Sequence, residues 1–78
     1  MKEPNDNIRD TVLKSLGIDE YTFRTHRKEL KDIDGWYFWN PLRGGSAIII
    51  NSNGENLVEY SGVSFTRHYQ EFLEGRRN

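Results

Sequence analysis

His26 and His68 are the side chains best placed to move a proton near neutral pH, but they lie far apart in the chain and no cysteine accompanies them. Two histidines without thiolates make neither a structural zinc site nor an activated nucleophile. His68 falls on the apolar stripe of a helical segment, where a packed, hydrogen-bonded histidine is the expected state, and His26 has no clear partner. Asp32-x-Asp34-Gly35 echoes the start of a calcium loop, yet the Trp-Tyr-Phe-Trp that follows supplies no oxygen ligands, so it reads as a turn. Ser61 and Ser64 lack a nucleophile-elbow context, and Ser64 reads as a helix cap. Arg43-Gly44-Gly45 lacks the Gly-Lys-Ser/Thr ending of a phosphate loop. The expectation is a protein with no catalytic residues, no cofactor and no metal, and therefore not an enzyme.

Binding is the remaining chemistry, and the residues that would perform it lie mainly between Gly35 and Tyr60. Trp36 to Trp39 is an unbroken aromatic run, and Ile48-Ile49-Ile50 and Leu57-Val58 flank an Asn53-Gly54 pair. Branched and aromatic side chains fit a pleated surface, so these segments are strands joined by turns. Before them, residues 1 to 5 read as a flexible lead, and a helix begins at Asp6. Asn5 or Asp6 caps it, Ile8, Val12, Leu13 and Leu16 form its apolar stripe, and Gly17 ends it. Tyr21 to Leu30 reads as a charged edge strand, with a helix as the competing reading for Arg27 to Asp32. Asp34-Gly35 turns the chain into a strand from Trp36 to Asn40, which Pro41 stops.

Leu42 to Ser46 reads as a loop, and Ala47 to Asn51 with Asn56 to Ser61 as a hairpin. A two-residue Asn53-Gly54 turn would pair Ile50 with Leu57 and Ile49 with Val58. Ser64 then caps a closing helix with Phe65, His68, Tyr69, Phe72 and Leu73 on one side and Gly75 at its end. The expected fold is a single α+β domain over residues 1 to 78, a four-stranded antiparallel meander with an N-terminal and a C-terminal helix packed on the sheet.

Composition narrows the partners. With 78 residues there is one small core, and a mean hydropathy of -0.85 leaves the aromatics to supply most of the burial. Eleven basic against twelve acidic residues give a formal charge of -1, so no global field steers the protein to nucleic acid or an anionic membrane. No run has membrane-spanning length, and the first residues lack an apolar signal region, which leads to the expectation of a soluble cytoplasmic protein.

The order Gly35-Trp36-Tyr37-Phe38, a variable loop, a small residue leading into Ile48-Ile49-Ile50-Asn51, a Gly54-Glu55 turn and an aromatic amphipathic helix containing Tyr69 resembles the immunity protein 35 family. That family includes small YrhB-type bacterial proteins, and the likeness covers about residues 21 to 74. It implies an α+β protein that neutralises a toxin or effector by binding it, without catalytic residues. The loop between Asn40 and Ala47 is shorter than that family leads one to expect, and the turn before Gly54 tighter, differences that would alter partner specificity.

Both faces of the hairpin and of the aromatic strand are apolar. If both helices pack on the face of Trp36, Phe38, Ile48, Ile50 and Leu57, the other face exposes Tyr37, Trp39, Ile49, Val58 and Tyr60; the alternative is that the N-terminal helix crosses to that second face and buries it. With Arg43 in its glycine loop, these are the expected partner-binding residues, for another protein or for a second copy in a homodimer. The alternative surface is a single-stranded nucleic-acid site on Arg24, His26 and Lys28, which the neighbouring Glu29, Asp32 and Asp34 disfavour.

Overall fold

The first helix forms where its signals lie. In the computed structural model, which describes residues 3–42, 44–60 and 62–78, α1 spans Asp6–Leu16. The Asn5 side chain accepts the Ile8 N–H at 2.9 Å, and Gly17, at a φ of 63°, closes the helix by donating its N–H to the Leu13 carbonyl. Ile8, Val12 and Leu16 are buried along one stripe. The lead before α1 is tied down at Glu3, which forms an ion pair with Arg27 at 3.0 Å.

The segment read as a strand from Tyr21 to Leu30 divides instead into a helix, α2 (Glu20–Thr25), and a strand, β1 (Arg27–Leu30). Asp19 is the reason: its carboxylate accepts the Thr22 N–H at 2.8 Å and starts a helix before any strand can begin. Ile18 and Phe23 stand at the two positions of a hydrophobic staple and join the same core cluster, while Arg24 reaches back one turn to Glu20. The helix proposed as an alternative at Arg27 to Asp32 is also absent; after β1 comes only a short 3-10 turn over Lys31–Ile33. Asp34, at a φ of 51°, then directs the chain into β2 (Gly35–Trp39).

β3 (Ser46–Asn51) and β4 (Asn56–Tyr60) complete an antiparallel meander in the order β1-β2-β3-β4. The hairpin register differs by one residue from that expected: Ile49 pairs with Leu57 and Ile48 with Val58. Its loop has three residues, Ser52, Asn53 and Gly54, between the bonded pair Asn51 and Glu55, with Gly54 at a φ of 88°. The Asn51 side-chain oxygen accepts from the N–H groups of both Asn53 and Glu55 and favours the longer loop. A slip of one residue exchanges the faces of a strand, so Leu57 and Val58 swap sides relative to the expectation.

α3 (Phe65–Leu73), capped by Ser64, does not join the other helices. α1 and α2 cover one face, burying Trp36, Phe38, Ile48 and Ile50 with Val58 alongside; α3 covers the other, burying Leu30, Ile49 and Leu57 against Phe72. The arrangement with both helical ends on one face is therefore replaced by three layers. Ile49 is 0% exposed and belongs to the core, and Val58 packs toward α1, so neither lies on an open apolar face.

Gly35 stands where β2 passes closest to β3. A Cβ there would meet the Ile50 carbonyl and come within 2.8 Å of the Asn51 Cα. Gly35→Ala is expected to cost about 1–3 kcal/mol by forcing the strands apart, and Ile49→Ala about 2–5 kcal/mol by opening a cavity. Urea unfolding followed by tryptophan fluorescence measures both; an Ile49→Ala protein as stable as the parent would contradict the core placement.

Candidate functional site

On the α3 face the helix leaves one corner of the sheet open. Phe65 is the first residue of α3, and its ring stands edge-on to Tyr37 at 4.7 Å between centroids. Tyr37 in turn lies 5.6 Å from Trp39, and His26 meets Trp39 edge-on at 5.7 Å. These contacts make a continuous aromatic row, and beyond it lies a shallow groove of about 420 Å³. Tyr37, Trp39 and Phe65 form its apolar lining with Ala47, and Lys28, Asn40 and Ser46 add its polar groups. The Lys28 ammonium sits 4.8 Å from the centre of the Phe65 ring, a cation–π contact that holds the charge at this surface.

The fold fixes the surroundings of several polar side chains at and beneath the groove. Asn40 is spent on structure, donating to the Leu16 carbonyl at 3.1 Å and accepting the Leu42 N–H at 2.9 Å. Burial pushes the Tyr37 hydroxyl above its ordinary value of 10.0, which keeps it protonated at neutral pH. His68 is 1% exposed, with Nε2 2.7 Å from the Leu57 carbonyl, so that nitrogen carries the proton and donates. Its Nδ1 is buried with no hydrogen-bond partner among the described residues, and the ring is closed off from solvent as part of the packing beneath Tyr37. Among the described residues no group of three His, Cys, Asp or Glu side chains could hold a metal ion, and no helix is long and apolar enough to cross a membrane.

Of the expected partner-binding residues, the structure brings Tyr37 and Trp39 together in the groove. Tyr60 is 78% exposed at the end of β4, but, two residues on from Val58, its side chain lies on the α1 face and not with Tyr37 and Trp39. Ile49 and Val58 are removed from the surface by the two-sided covering described above, and Arg43 lies outside the described residues. The alternative basic set does not share one strand face. Arg24 is on α2, bonded to Glu20; His26 follows that helix with Nδ1 2.8 Å from the Thr25 hydroxyl; Lys28 turns to Phe65 on the α3 side. Phe65, one of the apolar stripe residues of the closing helix, also lines the groove. Its position at the very start of the helix is the signal that it reaches past the covered area.

Phe65 is held in place by the anchoring of α3. At the helix's other end the Glu71 carboxyl is hydrogen-bonded with the Glu59 carboxyl and gripped by Arg67 at 3.0 Å and Arg76 at 2.7 Å, and these contacts hold it below the ordinary value of 4.5. A carboxylate whose folded value is depressed adds stability above its unfolded value and loses it as pH falls through the folded one. Stability is therefore expected to decline as pH drops below about 4.5. Urea midpoints across an acid series should show a shallower decline for Glu71→Gln than for the parent; identical slopes would show that this cluster contributes nothing to acid sensitivity.

No family model, curated protein or solved structure matches the chain.

Proposed function

We propose that this chain is a small non-enzymatic protein-binding module, an immunity-type or inhibitor protein that neutralises a partner by covering part of its surface. The supporting observation is the groove of Tyr37, Trp39 and Phe65, a half-buried aromatic cluster open to solvent and backed by a hydrogen-bonded sheet. Tryptophan and tyrosine on a rigid support supply binding energy at low cost in conformational entropy, and such residues dominate measured interfaces. The groove itself accepts only one or two side chains. A complete interface takes roughly 800 Å² from each partner, and the exposed Leu42, in the loop just after β2, lies at the same end of the sheet. The Lys28 ammonium favours a partner that brings a carboxylate beside its apolar anchor.

The immunity reading adds the nature of the partner, a toxin or effector protein, and rests on the resemblance carried by Gly35 to Phe38, Ile48 to Asn51 and the Tyr69 helix. Affinity capture from the source organism with the parent chain and with Trp39→Ala, followed by titration of the purified partner, tests the proposal. Trp39→Ala is expected to weaken binding by about tenfold or more, as loss of a hot-spot tryptophan does. Lys14→Ala, exposed on α1, should leave binding unchanged. Equal recovery with the parent and with Trp39→Ala, or no protein retained by either, would overturn it.

A further inference from the structure

β4 forms an edge of the sheet, and its outer side is already engaged. The hairpin bonds Asn51 to Glu55, so alternation along the ladder turns the main-chain groups of Asn56, Val58 and Tyr60 away from β3. Asn78 meets two of them. Its N–H donates to the Asn56 carbonyl at 3.2 Å, and its side-chain oxygen accepts the Val58 N–H at 2.8 Å. A further bond joins its side-chain amide to the Asn56 side chain. One residue of a parallel strand bonds the groups on either side of its neighbour in this way; here the Asn78 amide oxygen stands where a main-chain carbonyl would.

The residues before Asn78 hold it there. The Arg77 guanidinium lies 3.7 Å from the centre of the Phe72 ring and donates to the Phe72 carbonyl at 2.8 Å, while Arg76 binds Glu71. The two edges of the sheet are thus protected differently. β1 is four residues long and three of them are charged, which discourages pairing with other chains. β4 reads Asn-Leu-Val-Glu-Tyr, with no proline or basic residue to block an incoming strand.

We propose that the outer edge of β4 is a strand-pairing surface kept closed by residues 76–78, and that the partner it takes when they lift away is a second copy of this chain. Val58 stands midway between Asn56 and Tyr60. An antiparallel copy centred on it sets Val58 against Val58 and Asn56 against Tyr60, using the outward groups of all three residues reciprocally. The one charge on the strand, Glu59, then faces Leu57 of the other copy and not a second carboxylate. The contact is self-complementary, so it closes as a dimer. It involves residues separate from the aromatic groove and stands or falls apart from it.

Sedimentation velocity over a hundredfold range of concentration tests the proposal on the full chain, on a truncation after Gly75 and on that truncation carrying Val58→Pro. The full chain should remain monomeric and the truncation should dimerise with rising concentration. Val58→Pro should restore the monomer, because the N–H it removes faces away from β3. A folded truncation that stays monomeric throughout, or a full chain that dimerises equally, would overturn the proposal. If the truncation does not fold, hydrogen exchange of the Val58 amide in the full chain decides: at least tenfold faster exchange in Asn78→Ala supports the closed edge, and unchanged exchange refutes it.

Discussion

A sheet that is apolar on both faces must be covered on both, and that constraint shapes this molecule. Consecutive strand residues point to opposite faces, so Ile48, Ile49 and Ile50 cannot all be satisfied by one helical layer. Ile48 and Ile50 turn to α1 and α2, and Ile49 turns to α3. A chain of 78 residues thereby builds three layers with little material to spare. An eleven-residue helix such as α1 is marginal alone and acquires its stability from the sheet it shields. The dependence is mutual, because removal of either helical layer would leave one full face of the sheet in water.

The hairpin loop decides which side chains each layer receives. With Gly54 in a positive-φ position after a turn at Ser52 and Asn53, Leu57 lies under α3 and Val58 faces α1. The larger residue thus goes to the layer made by a single helix. That helix is short: nine residues at about 1.5 Å each reach roughly 13–14 Å, whereas strands of five or six residues run roughly 17–20 Å. α3 consequently cannot roof the whole face. The half-buried corner at Tyr37 and Trp39 is a geometric remainder of this mismatch in length.

Much of this architecture was legible in the chain. α1 was readable from Asn5, the Ile8, Val12 and Leu16 stripe, and Gly17, each a local signal with one meaning. The meander followed from the Ile run, the aromatic run and the turns between them, and α3 from its stripe and the Ser64 cap. Three features escaped, each where a local pattern has two solutions. Tyr21 and Phe23 alternate with Thr22 and Arg24 as a strand would, but Asp19 as a cap outweighs that alternation over so short a segment. Asn53-Gly54 suits both a two-residue and a three-residue loop, and the choice rests on side-chain hydrogen bonds from Asn51. Which face α3 takes depends on that register and on tertiary packing. The expected surface divides for the same reason: Tyr37 and Trp39 share the α3 face whichever register is adopted, whereas Val58 and Tyr60 change face with it.

Surfaces on so small a protein are neighbours by necessity, and here they meet at Ser46. That residue borders the aromatic groove on one side and, through its pairing with Tyr60, the outer groove of β4 on the other. A partner footprint of roughly 800 Å² centred on Trp39 is wide enough to pass Ser46 and reach the end of β4. The contacts of Asn78 therefore have a second consequence. By holding β4 within a single protomer, they leave Tyr60, whose side chain lies on the Val58 face, exposed at the edge, whereas an antiparallel second strand would lay its own Asn56 alongside. Partner binding at the corner and strand pairing at the edge thus use different residues on either side of Ser46, and the tail bears on the second.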